Sequence, residues 1–280
     1  MEYVTLNNGI KMPVLGYGVY QVKGEDCERC VSDAINAGYR AIDTAQSYGN
    51  EEEVGNAVRK SDVPREELFL TTKVWISNGG YEKAKASLKE SLRKLQTEYI
   101  DLVLIHQPFN DYYGTYRAME EAYKDGWIRA IGISNFYPDR LVDLCSFVEI
   151  VPAVNQVETH VFQQQQKAHE YMVKYGVQHE SWGPFAEGRK DFFTNPVLNE
   201  IGKKYGKSAA QTALRFLIQN DVVVIPKSTH KERMIQNMDV FDFVLDDQDM
   251  ADIRALDEKE SLFFSHYDPA TVEMMTGLKR

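Results

Sequence analysis

Four side chains in this sequence are able to move a proton and stand at or just past apolar runs: Asp43, Tyr48, Lys73 and His106. Asp43 closes the run "RAID", and a carboxylate at the end of a buried strand needs a partner because an unpaired buried charge is costly. Lys73 lies near the end of "LFLTTKV" and can be that partner. Tyr48 follows Asp43 on the loop "TAQSYGN". A phenol titrates near ~10, and a neighbouring cation lowers that value, so Tyr48 beside Lys73 is expected to exchange a proton nearer neutral pH. His106, closing "IDLVLIH", is placed to hydrogen-bond a substrate oxygen. Each residue also has an ordinary reading. Asp43 could cap a helix, Lys73 could extend to the surface, and His106 could be a satisfied core histidine. A lysine at a strand end (Lys73 or Lys227) is also a possible Schiff-base nucleophile.

The elements that position these residues alternate. After a hairpin signal ("YVTL", "NNG", "IKMPVL") come eight short apolar runs, at 14–18, 40–43, 68–74, 100–106, 128–134, 152–156, 176–182 and 222–228. Between most of them lie amphipathic segments. "GEDCERCVSDAINAG" has acids in its first turn and Gly38 as a stop. "GYEKAKASLKESLRKLQ" puts Ala84, Leu88, Leu92 and Leu95 on one face, and "SAAQTALRFLIQN" opens on Ser208 with Gln211 in a capping-box pattern. Eight such units predict a closed α/β barrel, the (β/α)8 TIM barrel, behind an N-terminal β-hairpin. The alternative is an open doubly wound sheet, but "GYGVYQ" after the first run has Gln21 where a dinucleotide fingerprint needs its third glycine. No linker or low-complexity tract divides the chain, so a single domain spanning 1–280 is expected.

A barrel of this kind gathers its chemistry at the C-terminal ends of the strands. There the sequence places Asp43, Lys73, His106, Ser134, Asn135, Asn155, Gln156, Trp182, Lys227 and Ser228. Singly, each is unremarkable, yet their convergence on one rim is not what scattered surface polarity produces. Tyr20, Trp75 and Phe109 lie just past the first, third and fourth runs and are expected to wall an apolar cleft. The tail "FFSHYDPATVEMM" is placed to fold over it.

Composition excludes several classes. The chain of 280 residues is 43% apolar and 26% charged, as expected of a globular protein with a sizeable core. A formal net charge of −10 argues against nucleic-acid binding. No run approaches the roughly 18 apolar residues of a membrane span, and the opening lacks the basic and apolar regions of a signal peptide. A cytoplasmic protein is therefore expected, and a monomer, since no apolar patch announces a partner. Cys27 and Cys30 form a C-x-x-C pair, read as two positions on one helix face; no metal site is expected.

At these residues the chain resembles the aldo-keto reductases, over nearly its whole length. "GYRAIDTAQSYGNEEEVG" and "IPKSTHKERMIQN" fit two of that family's signatures, and "GISNF" and "NQVE" stand where the family has them. The resemblance implies a (β/α)8 barrel that transfers hydride between NADPH and a carbonyl compound. It implies a catalytic tetrad of Asp43, Tyr48, Lys73 and His106, with Tyr48 as general acid, Lys73 paired to Asp43, and His106 orienting the carbonyl. It assigns the nicotinamide carboxamide to Ser134, Asn135 and Gln156 and ring stacking to Trp182. Gly183 and Pro184 then lie near the pyrophosphate. Lys227, Ser228 and Arg233 resemble a grip on the 2′-phosphate, which implies NADPH in preference to NADH. Gln236 and Asn237 fall beside the adenine; the family usually has Glu in place of Gln236 and Ser-Pro-Leu in place of Gly183-Pro184-Phe185. "AEGRKDFFTN" then implies a short cofactor clamp. A short loop after the fourth run and a compact tail look like the prokaryotic and protist members grouped with 2,5-diketogluconate and methylglyoxal reductases. The alternative is a non-catalytic or regulatory barrel that binds NADPH.

Overall fold

A computed structural model describes residues 1–278, so the last two positions of the expected 1–280 domain lie outside the described residues. The chain opens with a hairpin of β1 (Tyr3–Thr5) and β2 (Lys11–Pro13), paired antiparallel. Eight parallel strands follow: β3 (Tyr17–Gly18), β4 (Ala41–Asp43), β5 (Phe69–Val74), β6 (Ile100–Ile105), β7 (Ile128–Ser134), β8 (Val154–Glu158), β9 (Gln178–Trp182) and β10 (Val223–Val224). They are neighbours in chain order from β3 to β10. The two ends then meet: Leu15 bridges Val224 in parallel, and the Gly16 amide donates to the Val224 carbonyl at 2.8 Å. The sheet is closed, as the eight-run pattern predicted, and no edge is left exposed.

The strands are buried on both faces, the usual consequence of packing helices outside and side chains inside. Inside, Leu102, Leu104, Ala130, Val154 and Val223 fill the lower barrel, and Leu6 and Met12 of the hairpin plug it from below. The turn of that hairpin is tied down by Asn7 and Asn8, whose side-chain amides donate to the Pro152 and Arg129 carbonyls. The interior is narrow enough to dictate a residue. A Cβ on Gly132 would lie 2.6 Å from the Val154 carbonyl oxygen and 2.7 Å from Leu104 Cδ2, so only glycine fits there.

The outer helices follow the predicted periodicities. The helix Glu25–Asn36 buries Cys27, Cys30, Val31, Ala34 and Ile35 and yields to Gly38 at φ +108°. Its two cysteines are free thiols on one buried face. The helix Tyr81–Leu95 turns Ala84, Leu88 and Leu95 inward, and Ala209–Gln219 starts on the reciprocal Ser208–Gln211 capping box. Several strand boundaries move from their expected places: the first strand begins at Tyr17 rather than 14 and the seventh at Gln178 rather than 176. The sixth begins at Val154 rather than 152, and the eighth stops at Val224, because Pro152 and Pro226 have no N–H to give a ladder.

Candidate active site

Register decides which side chains meet inside the barrel. Gly18 pairs with Asp43, and Asp43 with Thr71, so Lys73, two residues on, shares Asp43's inward face. The ammonium of Lys73 donates to Asp43 Oδ1 at 2.5 Å and to the Thr44 carbonyl at 3.1 Å. Lys73 is 0% and Asp43 3% exposed, so neither the surface-lysine nor the helix-cap reading applies. From the opposite wall, Gln156 on β8 donates its amide nitrogen to Asp43 Oδ2 and to Glu180 Oε2, both at 2.9 Å.

Tyr48 is delivered by the loop that leaves β4. A single turn, Gln46–Tyr48, ends at Gly49 in the left-handed region, φ +68°. The loop is stapled on both sides. The Asn50 side chain accepts from Thr44 and donates to the Val19 and Val22 carbonyls. Gln46 accepts from the Trp75 amide and Asn78 and donates to Ser87 and Ser91. This fixes the Tyr48 ring 5.1 Å from the Lys73 ammonium. His106 meets the Tyr48 ring edge-on at 5.6 Å and the Trp75 ring at 5.0 Å, with Ser47 Oγ 3.4 Å from its Nδ1.

One electrostatic expectation is corrected. Burial outweighs the lysine, and Tyr48 is pushed up to about 12 rather than down. Lys73 opposes that rise without reversing it, and Asp43 adds to it. Lys73 itself is held above its ordinary value: burial alone would lower it, but Asp43 overcomes that. His106 falls well below the usual imidazole range through burial and then the Lys73 charge. At neutral pH the site therefore presents a protonated phenol backed by an ammonium, beside a neutral imidazole. That set can donate a proton to a carbonyl oxygen, hold a second hydrogen bond on it, and stabilise the phenolate left behind.

The rim residues expected to hold a cofactor are grouped along β7 to β10. Ser134 Oγ donates to the Gln156 carbonyl, and Asn135, at φ +64°, donates to the His106 carbonyl and accepts from Trp182 Nε1 at 2.9 Å. Trp182 is half-buried, with Phe264 of the tail stacked on it at 5.9 Å and Phe263 set edge-on to it at 5.2 Å. Gly183 sits at φ +65° and leads into Pro184 at the strand exit. Lys227 and Arg233 are exposed, Ser228 is buried, and Arg233 lies in the first turn of the helix Lys231–Met238. Two cations with no carboxylate partner among the described residues, at a helix N-terminus, suit a phosphate. Gln236 is exposed, whereas Asn237 is buried, and the Tyr39 hydroxyl donates to the Met234 carbonyl of the same helix at 3.2 Å.

The expected pocket walls behave differently from one another. Tyr20 is exposed, 5.0 Å from the Tyr48 ring. Trp75 and Phe109 are buried in a cluster with Ile76 and Met275, against Phe264 and Val272 of the tail. Phe109 stacks on His266 at 5.5 Å, so it packs beneath the tail. The tail does fold over this end. His266 Nε2 lies 2.6 Å from Gln107 Oε1, and Ser261 and Leu262 bond the Glu158 carboxylate. The segment 186–195, expected as a short cofactor clamp, sets Arg189 over the Phe263 ring of the tail and pairs Lys190 with Glu258.

Sequence reasoning passed over Glu180, Gln107 and His266. Glu180 carried a readable signal: an acid in the buried run "VQHESW", two residues before Trp182 and hence on its face. Gln107 and His266 carried none, since they are 159 positions apart.

Comparisons with known proteins agree with this geometry. Residues 14–258 match the sequence model described as the Aldo/keto reductase family. A Bacillus subtilis protein named glyoxal reductase is 47% identical over 261 residues, 92% of this chain and 94% of its own. The crystal structure of an aldo-keto reductase from a deep-sea metagenome, 44% identical, superposes with a TM-score of 0.93 over 95% of this chain and 98% of that one. A Bombyx mori aldo-keto reductase solved in complex with NADP is 34% identical, with a TM-score of 0.87 over 92% of this chain and 94% of that one.

Proposed function

The chain belongs to the aldo/keto reductase family, and we propose on that premise that it reduces small aldehydes and α-dicarbonyl compounds with NADPH. Membership makes it an oxidoreductase of carbonyl compounds. The observation that carries the finer reading is the buried Lys73–Asp43 pair beneath a protonated Tyr48, with neutral His106 alongside. The carbonyl oxygen sits between the Tyr48 hydroxyl and the His106 ring. Tyr48 passes its proton to that oxygen, and the Lys73 ammonium stabilises the phenolate as it forms. The nicotinamide, when bound, supplies the hydride to the carbonyl carbon.

Ser134, Asn135 and Gln156 hold the carboxamide edge; the carbonyl oxygens of Asn135 and Gln156 each have a lone pair for its amide hydrogens. Trp182, at the end of β9, offers its indole for stacking with the ring. Gly183 and Pro184 let the backbone approach the pyrophosphate. Lys227, Ser228 and Arg233 take the 2′-phosphate, the basis for preferring NADPH to NADH, and Gln236 and Asn237 border the adenine. Tyr20, Trp75 and Phe109 wall a small, largely apolar mouth, suited to short substrates. The name of the Bacillus relative supports an α-dicarbonyl. We read the protein as a single-domain cytoplasmic monomer; no helix among the described residues is long and apolar enough to cross a membrane.

The test is NADPH and NADH oxidation against a panel of small aldehydes, α-dicarbonyls, sugars and quinones. Tyr48→Phe should lower turnover by roughly a hundred- to ten-thousand-fold while NADPH still binds. Full activity in that variant refutes the assignment.

A further inference from the structure

Two buried carboxyl groups share the barrel interior with one ammonium, and the proton-transfer scheme above uses only one of them. Glu180 is 1% exposed on β9, opposite Gln156 in register. The Gln156 amide nitrogen has two hydrogens and gives one to each carboxyl: Asp43 Oδ2 and Glu180 Oε2, both at 2.9 Å. Asp43 spends its other oxygen on Lys73. A chain of contacts therefore runs across the barrel from Glu180 through Gln156 and Asp43 to Lys73, and the Lys73 ammonium lies over the Tyr48 ring.

We propose that Glu180 is a positioning residue for the acid–base chemistry, its carboxyl protonated in the resting enzyme, and that its charge state sets how readily Tyr48 gives up its proton. The proposal rests on the reading of Tyr48 as the proton donor.

The charge count supports it. The charged groups facing Glu180 are Asp43 from β4 and Lys73 from β5; Gln156 from β8 is neutral, and the register partner on β10 is Val223. Two ionised carboxylates against one ammonium would leave a net negative charge buried in the barrel, which is costly. Burial, and then the Asp43 charge, push Glu180 up to about 8. Below that value the trio of Asp43, Lys73 and Glu180 carries no net charge. Above it, a second negative charge appears near Lys73 and opposes the phenolate, so Tyr48 keeps its proton to higher pH. Reduction, which needs the phenol, is thereby extended into the alkaline range. Oxidation of the alcohol, which needs the phenolate, is delayed.

The experiment measures kcat for aldehyde reduction and for alcohol oxidation from about pH 6 to about pH 12, a span that takes in the Glu180 titration and the onset of Tyr48 deprotonation. Wild type, Glu180→Gln and Glu180→Asp are compared, each profile normalised to its own rate near pH 7. In Glu180→Gln the alkaline fall of reduction and the rise of oxidation should both move down by about half a pH unit or more. Glu180→Asp, which restores a titrating carboxyl, should return both toward wild type. A loss of packing alone lowers rates at every pH and shifts neither limb. Superimposable profiles for Glu180→Gln and wild type overturn the proposal, as does an equal shift in both variants. Independently of any variant, NMR of wild type with isotope-labelled glutamate should show one carboxyl still protonated near pH 7, and its absence also overturns it. An active Tyr48→Phe refutes the proposed function; an inactive one with an unshifted Glu180→Gln profile refutes only this inference.

Discussion

Removing either partner of the Lys73–Asp43 pair should destabilise the protein strongly, and removing both should not. At 2.5 Å and an effective dielectric of about 20, the attraction between the two charges is about 7 kcal/mol. Desolvation costs several kcal/mol per ion, so the pair taken whole is close to neutral for stability. A lone survivor has no such balance. Lys73→Met leaves the buried Asp43 carboxylate without a cation, and Asp43→Asn leaves an ammonium at 0% exposure with the Thr44 carbonyl as its hydrogen-bond partner. Each single variant should lose about 3 to 5 kcal/mol, whereas the double variant should lie within about 2 kcal/mol of wild type. Urea unfolding followed by tryptophan fluorescence, with circular dichroism as a second probe, measures all four proteins. Turnover of a small aldehyde separates stability from chemistry. The double variant should regain stability but not rate, because nothing then stabilises the Tyr48 phenolate. Single variants costing under about 1 kcal/mol, or a double variant less stable than either single one, would refute the electrostatic account.

Gly132→Ala should cost about 1 to 3 kcal/mol, because its Cβ meets the Val154 backbone oxygen and Leu104 inside the barrel; a thermal midpoint equal to wild type would show that β7 and β8 can part. The tail should loosen in acid. His266 is lowered to about 4 by burial and by Arg140, against an unfolded value near ~6.5. A group lowered on folding contributes fully above its unfolded value and loses that contribution as pH falls toward its folded one. Docking should thus weaken between about pH 6.5 and about pH 4, by at most about 3 kcal/mol. Limited proteolysis of the segment 261–278 across that range reads it out, and His266→Gln should flatten the dependence.

The resemblance and the eight-run rhythm were enough to place the barrel, its hairpin and the order of its strands. Alternation, helix caps and turn residues are local properties, and the barrel is assembled from sequential neighbours. The same locality made the rim legible: Asp43, Lys73, His106, Gln156 and Trp182 each stand at a strand end that the sequence marks. The loop "TAQSYGNE" also spoke for itself, since Gly49 and Asn50 are the residue types that a left-handed turn and a backbone staple require.

What needed the tertiary structure was everything that depends on crossing the barrel or on burial. Asp43 has two partners, and only one of them, Lys73, lies on the adjacent strand; Gln156 reaches it from the opposite wall. The protonation of Tyr48 was misjudged from sequence because proximity to a cation can be read from strand order, whereas the cost of burying a phenolate depends on how much of the molecule closes around it. The tail over Phe109 and Trp182 rests on contacts between positions too distant in the chain for any local pattern to mark. Sequence determined which groups stand on the rim, through periodicity and turn chemistry. Packing decided their charge, because desolvation is a property of the closed barrel and of no single segment within it.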